Sequence, residues 1–236
     1  MNNRIVLCTG KPASGKSTSL LKVKDDPSIA YLNTDLKDLP FKATFPELKI
    51  TSPQIIIPAI AELESKEEIK TVILDTITFL MDQYETQVVG KAVNTMKAWG
   101  DYAKFYKEFM HAIKSGTKNY IIFAHTKDVY NESELVTEIK VPVKGSVGHT
   151  GVEADFTTII GTKKVPLSKL EGFQNDLLTI TPREEALGFK YVFQTYIDKD
   201  TLQDKMRSAM GLWADNEMYI DNDILHVTKR LEEYYD

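Results

Sequence analysis

Two glycines, a lysine and a serine near the N-terminus have the spacing of a phosphate-binding loop. Residues 10–17 read Gly-Lys-Pro-Ala-Ser-Gly-Lys-Ser, a complete G-x-x-x-x-G-K-S pattern. In such a loop the backbone N–H groups surround phosphates, the lysine reaches the β- and γ-phosphates, and the serine hydroxyl binds Mg²⁺. We therefore predict a nucleoside triphosphate site, with ATP and Mg²⁺ as cofactors. The residues expected to contact the nucleotide are Gly10, Lys11, Pro12, Ala13, Ser14, Gly15, Lys16, Ser17 and Thr18.

An aspartate follows a second apolar run. Residues 71–74 read Thr-Val-Ile-Leu, and Asp75 comes next. A carboxylate at the end of a buried strand can hold Mg²⁺ together with Ser17. The alternative is a helix cap, because the residues after Asp75 are compatible with a helix. The phosphate loop favours the metal-binding interpretation.

Two other polar residues end apolar runs, and each has two interpretations. Asp35 follows residues 29–33, where a carboxylate could orient and deprotonate an attacking water. The neighbouring Asp38 and Pro40 are equally typical of a surface turn. His125 ends the run 119–125, where it could sense the γ-phosphate or be a structural histidine with satisfied hydrogen bonds.

The order of apolar segments indicates the fold class. Short runs typical of buried strands cover residues 5–9, 29–33, 71–75, 119–125 and 156–160. Between them lie longer segments with helical periodicity, including one whose aromatic face spans 94–114 and is expected to pack in the core. Strands that alternate with helices predict an α/β fold with a mostly parallel sheet and helices on both faces. Because ligands bind at the carboxyl ends of such strands, the polar residues above should meet there. We expect one domain over residues 1–236.

Composition restricts the partners. The chain has 236 residues, one cysteine and a net charge of −5. A single buried cysteine and the lack of a long apolar run predict a cytoplasmic protein without a membrane partner. An acidic chain can contact nucleic acid only through a local patch. The best candidate is the glycine-spaced stretch 127–152 with Lys140 and Lys144, although an ordinary surface hairpin is the equal alternative.

The chain resembles the RecA-type ATPase core, and most closely the compact phage and prophage Sak-type single-strand annealing ATPases. The resemblance rests on the phosphate loop at 10–17, the strand ending at Asp75, the strand ending at His125, and Lys205-Met206-Arg207. It implies a RecA-like sheet, Asp35 as the catalytic carboxylate, and His125 or Thr126 as the polar sensor. It also implies that 127–150 is a DNA-binding loop. Two further residues, Lys205 and Arg207, would reach into the nucleotide site of a neighbouring subunit.

The function implied by this resemblance is a Mg²⁺-dependent ATPase that assembles on single-stranded DNA as a ring or filament of identical subunits. It would support phage-type recombination or strand annealing, in the host cytoplasm if phage-encoded. A single-stranded DNA-binding protein is a further candidate partner. The alternatives are a nucleotide or small-molecule kinase with the same loop, and a motor or loader ATPase outside recombination. A kinase of this type usually has an arginine-rich lid, and the sequence shows no such arginine cluster.

Overall fold

The computed structural model describes residues 1–132 and 135–235. A sheet of eight strands forms its centre, and two further strands form a separate hairpin. The strands of the sheet are β1 (Ile5–Gly10), β2 (Ile29–Asn33), β3 (Glu47–Lys49), β4 (Thr71–Asp75), β5 (Asn119–His125), β8 (Thr158–Pro166), β9 (Phe189–Gln194) and β10 (Tyr219–Asp221). The hairpin consists of β6 (Lys127–Asn131) and β7 (Val136–Lys140).

The strand order of the sheet is β10-β9-β8-β1-β5-β4-β2-β3. All pairs from β8 to β3 are parallel, whereas β9 and β10 are antiparallel to their neighbours. The carboxyl ends of the parallel strands therefore meet at one edge, where α/β sheets bind ligands. Strand β5 lies between β1 and β4, so it separates the strand before the phosphate loop from the strand that ends at Asp75.

Helices cover both faces of the sheet. Alternate residues of each central strand point to opposite faces. Ile5 and Leu7 belong to the cluster that includes α1, α2 and α3, whereas Val6 and Cys8 pack with α7 and the 3₁₀ helix Ser17–Val23. The α-helices are α1 (Ile56–Glu64), α2 (Ile77–Gln87), α3 (Thr95–Ser115), α4 (Gly145–Thr150), α5 (Leu167–Leu170), α6 (Pro182–Leu187) and α7 (Ile224–Tyr235). Further 3₁₀ helices cover Pro53–Ile55, Val89–Lys91 and Val152–Asp155.

The predicted α/β class is confirmed, because the sheet is mostly parallel and both of its faces carry helices. The aromatic residues of α3 pack in the core as expected. The strand predicted over 156–160 is wrong at its start, because Phe156 is the C-cap of the preceding 3₁₀ helix and β8 begins at Thr158 and continues to Pro166. Within the stretch 127–152 the sequence predicts two β-like pieces, over 134–139 and 140–143. The first begins outside the described residues, and the second shares only Lys140 with β7.

Within the described ranges 1–132 and 135–235, no helix has both the length and the apolar character needed to cross a bilayer.

Candidate nucleotide-binding site

A cleft of about 540 Å³ opens at the carboxyl edge of β1, β2, β4 and β5. The predicted residues Lys16, Ser17, Asp35, Asp75 and His125 all line it. Each comes from the end of a different strand or from the phosphate loop, and the parallel register brings these ends together. The sheet topology therefore brings together side chains that lie up to 109 residues apart in the sequence.

The phosphate loop joins β1 to the 3₁₀ helix Ser17–Val23. Gly15 has φ = +102°, a conformation that L side chains rarely adopt, and Ala13 also has a positive φ of 61°. Gly10 has a different role. It ends β1 outside the left-handed region, and an added Cβ there would lie 2.8 Å from the carbonyl oxygen of Thr162. Gly10 therefore suits this position by its small size and not by a left-handed backbone angle.

Lys16 is buried and its ammonium is held by the loop itself. Its Nζ donates to the carbonyl oxygens of Gly10, over 2.8 Å, and Lys11, over 3.0 Å. Burial lowers the pKa of Lys16 to about 8, while the negative charge of Asp75 acts in the opposite direction. The loop thus holds a cation whose charge is poorly solvated, and an incoming anion would stabilise it.

Asp75 and Ser17 form a direct pair. Ser17 Oγ donates to Asp75 Oδ2 over 3.0 Å, and Tyr31 Oη donates to the same oxygen over 2.8 Å. Burial raises the pKa of Asp75, while the hydrogen bonds from Tyr31 and Ser17 favour the charged carboxylate. The cap of α2 is Thr76, whose side chain accepts from the N–H of Phe79. The helix-cap alternative for Asp75 is therefore not the one observed.

The Ser17–Asp75 pair fits Mg²⁺. A hydroxyl and a carboxylate are hard oxygen ligands of the kind that this ion prefers. In the part of the chain that the structure describes, no three His, Cys, Asp or Glu side chains gather into a metal site. Mg²⁺ commonly binds proteins through one or two side chains and completes its shell with phosphate oxygens and waters. The donor set is therefore that of a nucleotide-dependent site.

His125 lies between the loop and the Asp75 strand. Its backbone N–H donates to Thr78 Oγ1 over 2.9 Å, and its ring contacts Phe79 edge to face. Burial, followed by the charge of Lys16, lowers the pKa of His125 to about 4, so the imidazole is neutral near pH 7. Its Nδ1 is buried and has no hydrogen-bond partner among the described residues. Both interpretations of His125 therefore stay open.

Asp35 lies at the mouth of the cleft. Its carboxylate pairs with Lys37 Nζ over 3.1 Å, and its side chain is 23% exposed. Its backbone N–H donates to the carbonyl oxygen of Asp75. The position is open enough for an attacking water, so the role of Asp35 as base stays a prediction.

Sequence reasoning missed several residues of the cleft. Thr78, Phe79 and Asp82 line it from the first turns of α2. The spacing of four between Thr78 and Asp82 is a usable signal, because helical residues four apart share a face. Nothing in the sequence indicated a role for Tyr31, because it lies among the apolar residues of a buried strand.

The C-terminal part of the chain holds the loop from its other side. Asn222 Nδ2 donates to the carbonyl oxygen of Gly15 over 2.8 Å. A Cβ added at Gly15 would lie 2.9 Å from the ring of Tyr191. Nearby, Lys22 Nζ pairs with Asp223 over 2.9 Å. These contacts fix the backbone of the loop through residues about two hundred positions away.

Lys205 and Arg207 lie outside the cleft. The backbone of Arg207 pairs with Ile159 of β8, and its guanidinium donates to the carbonyl oxygens of Glu153 and Phe156. Lys205 Nζ is 3.5 Å from Glu138. To reach a neighbouring subunit, the guanidinium would have to break these hydrogen bonds within its own chain. The intersubunit role therefore stays a prediction that these contacts do not favour.

The two predicted DNA-binding lysines point to different partners. Lys140 Nζ pairs with Glu138 on the same strand over 2.9 Å, whereas Lys144 Nζ pairs with Glu85 of α2 over 2.7 Å. Their role in DNA binding stays a prediction.

The comparison with protein families agrees with this geometry. A family model described as an AAA domain matches residues 2–151, which is more than half of the chain. The match includes the phosphate loop, Asp35, Asp75 and His125, and it ends before β8. No curated protein matches the chain. The chain belongs to the AAA domain family, a family of P-loop NTPases.

Proposed function

We propose that this protein is a Mg²⁺-dependent ATPase that binds single-stranded DNA. The observation that supports it most directly is the 3.0 Å pair of Ser17 and Asp75, which lies beside the buried ammonium of Lys16. A cation and a pair of hard oxygen ligands in one cleft are suited to a triphosphate with its metal.

Each residue has a distinct task in this proposal. The Lys16 ammonium stabilises negative charge on the β- and γ-phosphates in a preorganised site. Ser17 and Asp75 hold Mg²⁺, which neutralises phosphate charge when bound. Asp35 orients a water at the mouth of the cleft and accepts its proton. Neutral His125 carries one ring N–H donor and can hydrogen-bond the γ-phosphate.

The proposed DNA partner is supported by the position of the β6–β7 hairpin. Only Thr126 separates His125 in the cleft from the first residue of β6. A hairpin that continues directly from β5 is well positioned to respond to nucleotide chemistry. The protein would assemble on single-stranded DNA as a homo-oligomer and serve recombination or strand annealing, as in the Sak-type ATPases that it resembles. A single-stranded DNA-binding protein would be a further partner.

One experiment tests the proposal. ATP hydrolysis is measured with and without single-stranded DNA, while light scattering follows the size of the assembly. We expect DNA to stimulate hydrolysis and larger assemblies to form with ATP. Lys16→Ala is the control for the phosphate loop and should abolish turnover. Asp75→Asn should impair hydrolysis more than nucleotide binding.

The contrary outcomes are equally specific. Turnover by Lys16→Ala at the wild-type rate would contradict the nucleotide site. Transfer of phosphate to a small acceptor, without any effect of DNA, would favour the kinase alternative. Hydrolysis without DNA binding would favour a motor or loader outside recombination.

A further inference from the structure

Two β-ribbons extend past the carboxyl ends of β1 and β5 beside the phosphate loop. One is the β6–β7 hairpin, which continues from β5. The other consists of residues 162–166 of β8 with their partners on β9, which extend past the last residue of β8 that pairs with β1. Between the ribbons lies a second cleft of about 420 Å³, lined by Lys11, Ile139, Lys163 and Lys164 among others. It is separate from the nucleotide cleft, and the two share only Pro12 and Ala13 of the loop.

The side chains that line this ribbon cleft carry a positive net charge, although the whole chain has a net charge of −5. Three lysines, Lys11, Lys163 and Lys164, line the cleft with one carboxylate, Asp204. Lys11 pairs with Asp128 of the hairpin, and Lys163 pairs with Asp204. The hairpin adds Lys127 and Lys140, and its Glu138 pairs with Lys140 and with Lys205. Lys164 is exposed and forms no ion pair with any described residue.

Hydroxyl groups also line the cleft, and two aromatic rings lie next to it beside Lys164. The hydroxyls of Ser14 and Thr162 are buried in its wall, and neither has a hydrogen-bond partner among the described residues. Lys164 Nζ lies 3.9 Å from the ring centroid of Phe189, which contacts Tyr191 edge to face. Both rings are partly exposed. A row of lysines beside partly exposed aromatic rings is the usual composition of a single-strand binding groove.

We propose that the ribbon cleft binds the sugar-phosphate backbone of a single-stranded nucleic acid. This inference rests on the proposed function and names the surface that would carry out its DNA binding. Phosphates would replace the carboxylates that now hold Lys11 and Lys163, and Lys164 would contact a phosphate directly. Unpaired bases, which only a single strand offers, could stack near Phe189 and Tyr191.

The position of the ribbon cleft also suggests how nucleotide binding and nucleic-acid binding would be coupled. Lys11 belongs to the phosphate loop, and its Nζ is 2.8 Å from Asp128 of the hairpin. A phosphodiester that replaced Asp128 as the partner of Lys11 would shift the loop that also holds the nucleotide. Binding at one cleft would therefore change the affinity at the other, and such coupling is reciprocal.

The test measures the binding of a labelled oligo-dT strand by fluorescence anisotropy over a series of salt concentrations. Lys164→Glu is the main variant, because Lys164 is exposed and pairs with no carboxylate of residues 1–132 or 135–235. We expect its affinity for DNA to fall roughly tenfold and the salt slope to decrease by about 1. Lys164→Gln, which removes the charge without reversing it, should lower the affinity for DNA by a smaller factor. Lys107→Glu makes the same charge change on the exposed side of α3 and should bind as wild type does. Circular dichroism melting confirms that each variant is folded.

Three results would overturn the inference. If Lys164→Glu binds like wild type while Lys144→Glu binds weakly, DNA lies on the other side of the hairpin. Competition by polyglutamate as effective as that by DNA would mean that the cleft accepts polyanions in general. If the wild type binds no DNA at any salt concentration, the inference fails together with the DNA part of the proposed function. ATP hydrolysis measured on the same sample then shows whether the ATPase part survives.

Discussion

The phenol of Tyr31 donates a hydrogen bond to the carboxylate of Asp75 over 2.8 Å, from β2 to the neighbouring β4. The tyrosine is buried, and its pKa is raised well above its ordinary value by burial and by the charge of Asp75. The phenol therefore remains a donor at every relevant pH. Because the same oxygen accepts from Ser17, Tyr31 orients the carboxylate toward the metal-binding position.

Removal of the Tyr31 hydroxyl should lower the rate of ATP hydrolysis more than it lowers nucleotide affinity. We expect Tyr31→Phe to reduce the ATP hydrolysis rate roughly tenfold, because a hydrogen bond to a charged group contributes about 1.5–3 kcal/mol. Nucleotide affinity should change less, since Lys16 and the loop are untouched. Steady-state kinetics and nucleotide titration measure the two effects separately. A variant with an unchanged rate at all Mg²⁺ concentrations would show that Tyr31 serves packing alone.

Nucleotide affinity should depend on pH through Lys16. Its pKa is lowered to about 8 in the free protein, and bound phosphates favour the charged form. Affinity should therefore decrease as the pH rises above about 8, and binding should take up a proton there. Calorimetry in two buffers of different ionisation enthalpy measures this uptake. Lys16→Arg stays charged, so any binding it retains should lack this pH dependence, and the same flat profile for the wild type would contradict the prediction.

His125 should make the protein less stable in acid. The histidine titrates at about 4 in the folded protein and near 6.5 when unfolded. Between these values the unfolded chain binds a proton that the folded chain does not, so stability is lost as the pH falls through this window. The free energy of unfolding, measured with denaturant, should change less with pH for His125→Asn than for the wild type. His111→Asn, which changes an exposed histidine on α3, should keep the wild-type dependence. If the free energy of unfolding depends on pH equally in all three proteins, His125 is not held in its neutral form by the fold.

Arg207 should contribute to stability within its own chain. Its guanidinium bonds two backbone carbonyls, and Arg207→Ala should lower the free energy of unfolding by about 1–3 kcal/mol. Lys205→Ala removes only a long, exposed ion pair and should change it by less than about 0.5 kcal/mol. Equilibrium denaturation measures both.

The intersubunit role of Arg207 has its own test. Arg207→Ala protein is mixed with Lys16→Ala protein, and hydrolysis is measured at increasing total concentration. Partial recovery would mean that Arg207 acts on a neighbour after leaving its present contacts. If recovery is absent at every ratio, while Arg207→Ala is destabilised, its role is confined to the edge of β8.

The sequence predicted those site residues that belong to a short local pattern. The phosphate loop has its full motif within eight residues, and Asp75 and His125 each end a continuous apolar run. Since parallel strands of a sheet end at one edge, their meeting followed from the fold class. The predicted extent of one domain over 1–236 stays a prediction.

Contacts between distant segments could not be predicted in this way. Asn222 and Gly15 are 207 residues apart, and nothing in either segment indicates the other. Arg207 looks like part of an exposed basic pair, yet it completes the edge of β8. Side-chain partners of this kind depend on the packing of the whole chain, which periodicity does not encode.

Strand β8 has a consequence for any shortened form of the protein. The family match ends at residue 151, but β8 hydrogen-bonds to residues 6–9 of β1 along one side. A fragment that stopped at residue 151 would expose that side of β1 directly beneath the phosphate loop. It would also uncover the apolar face on which α7 packs. Unpaired edges recruit strands from other molecules, so we expect such a fragment to aggregate. Fragments for crystallisation or activity assays should therefore include α7.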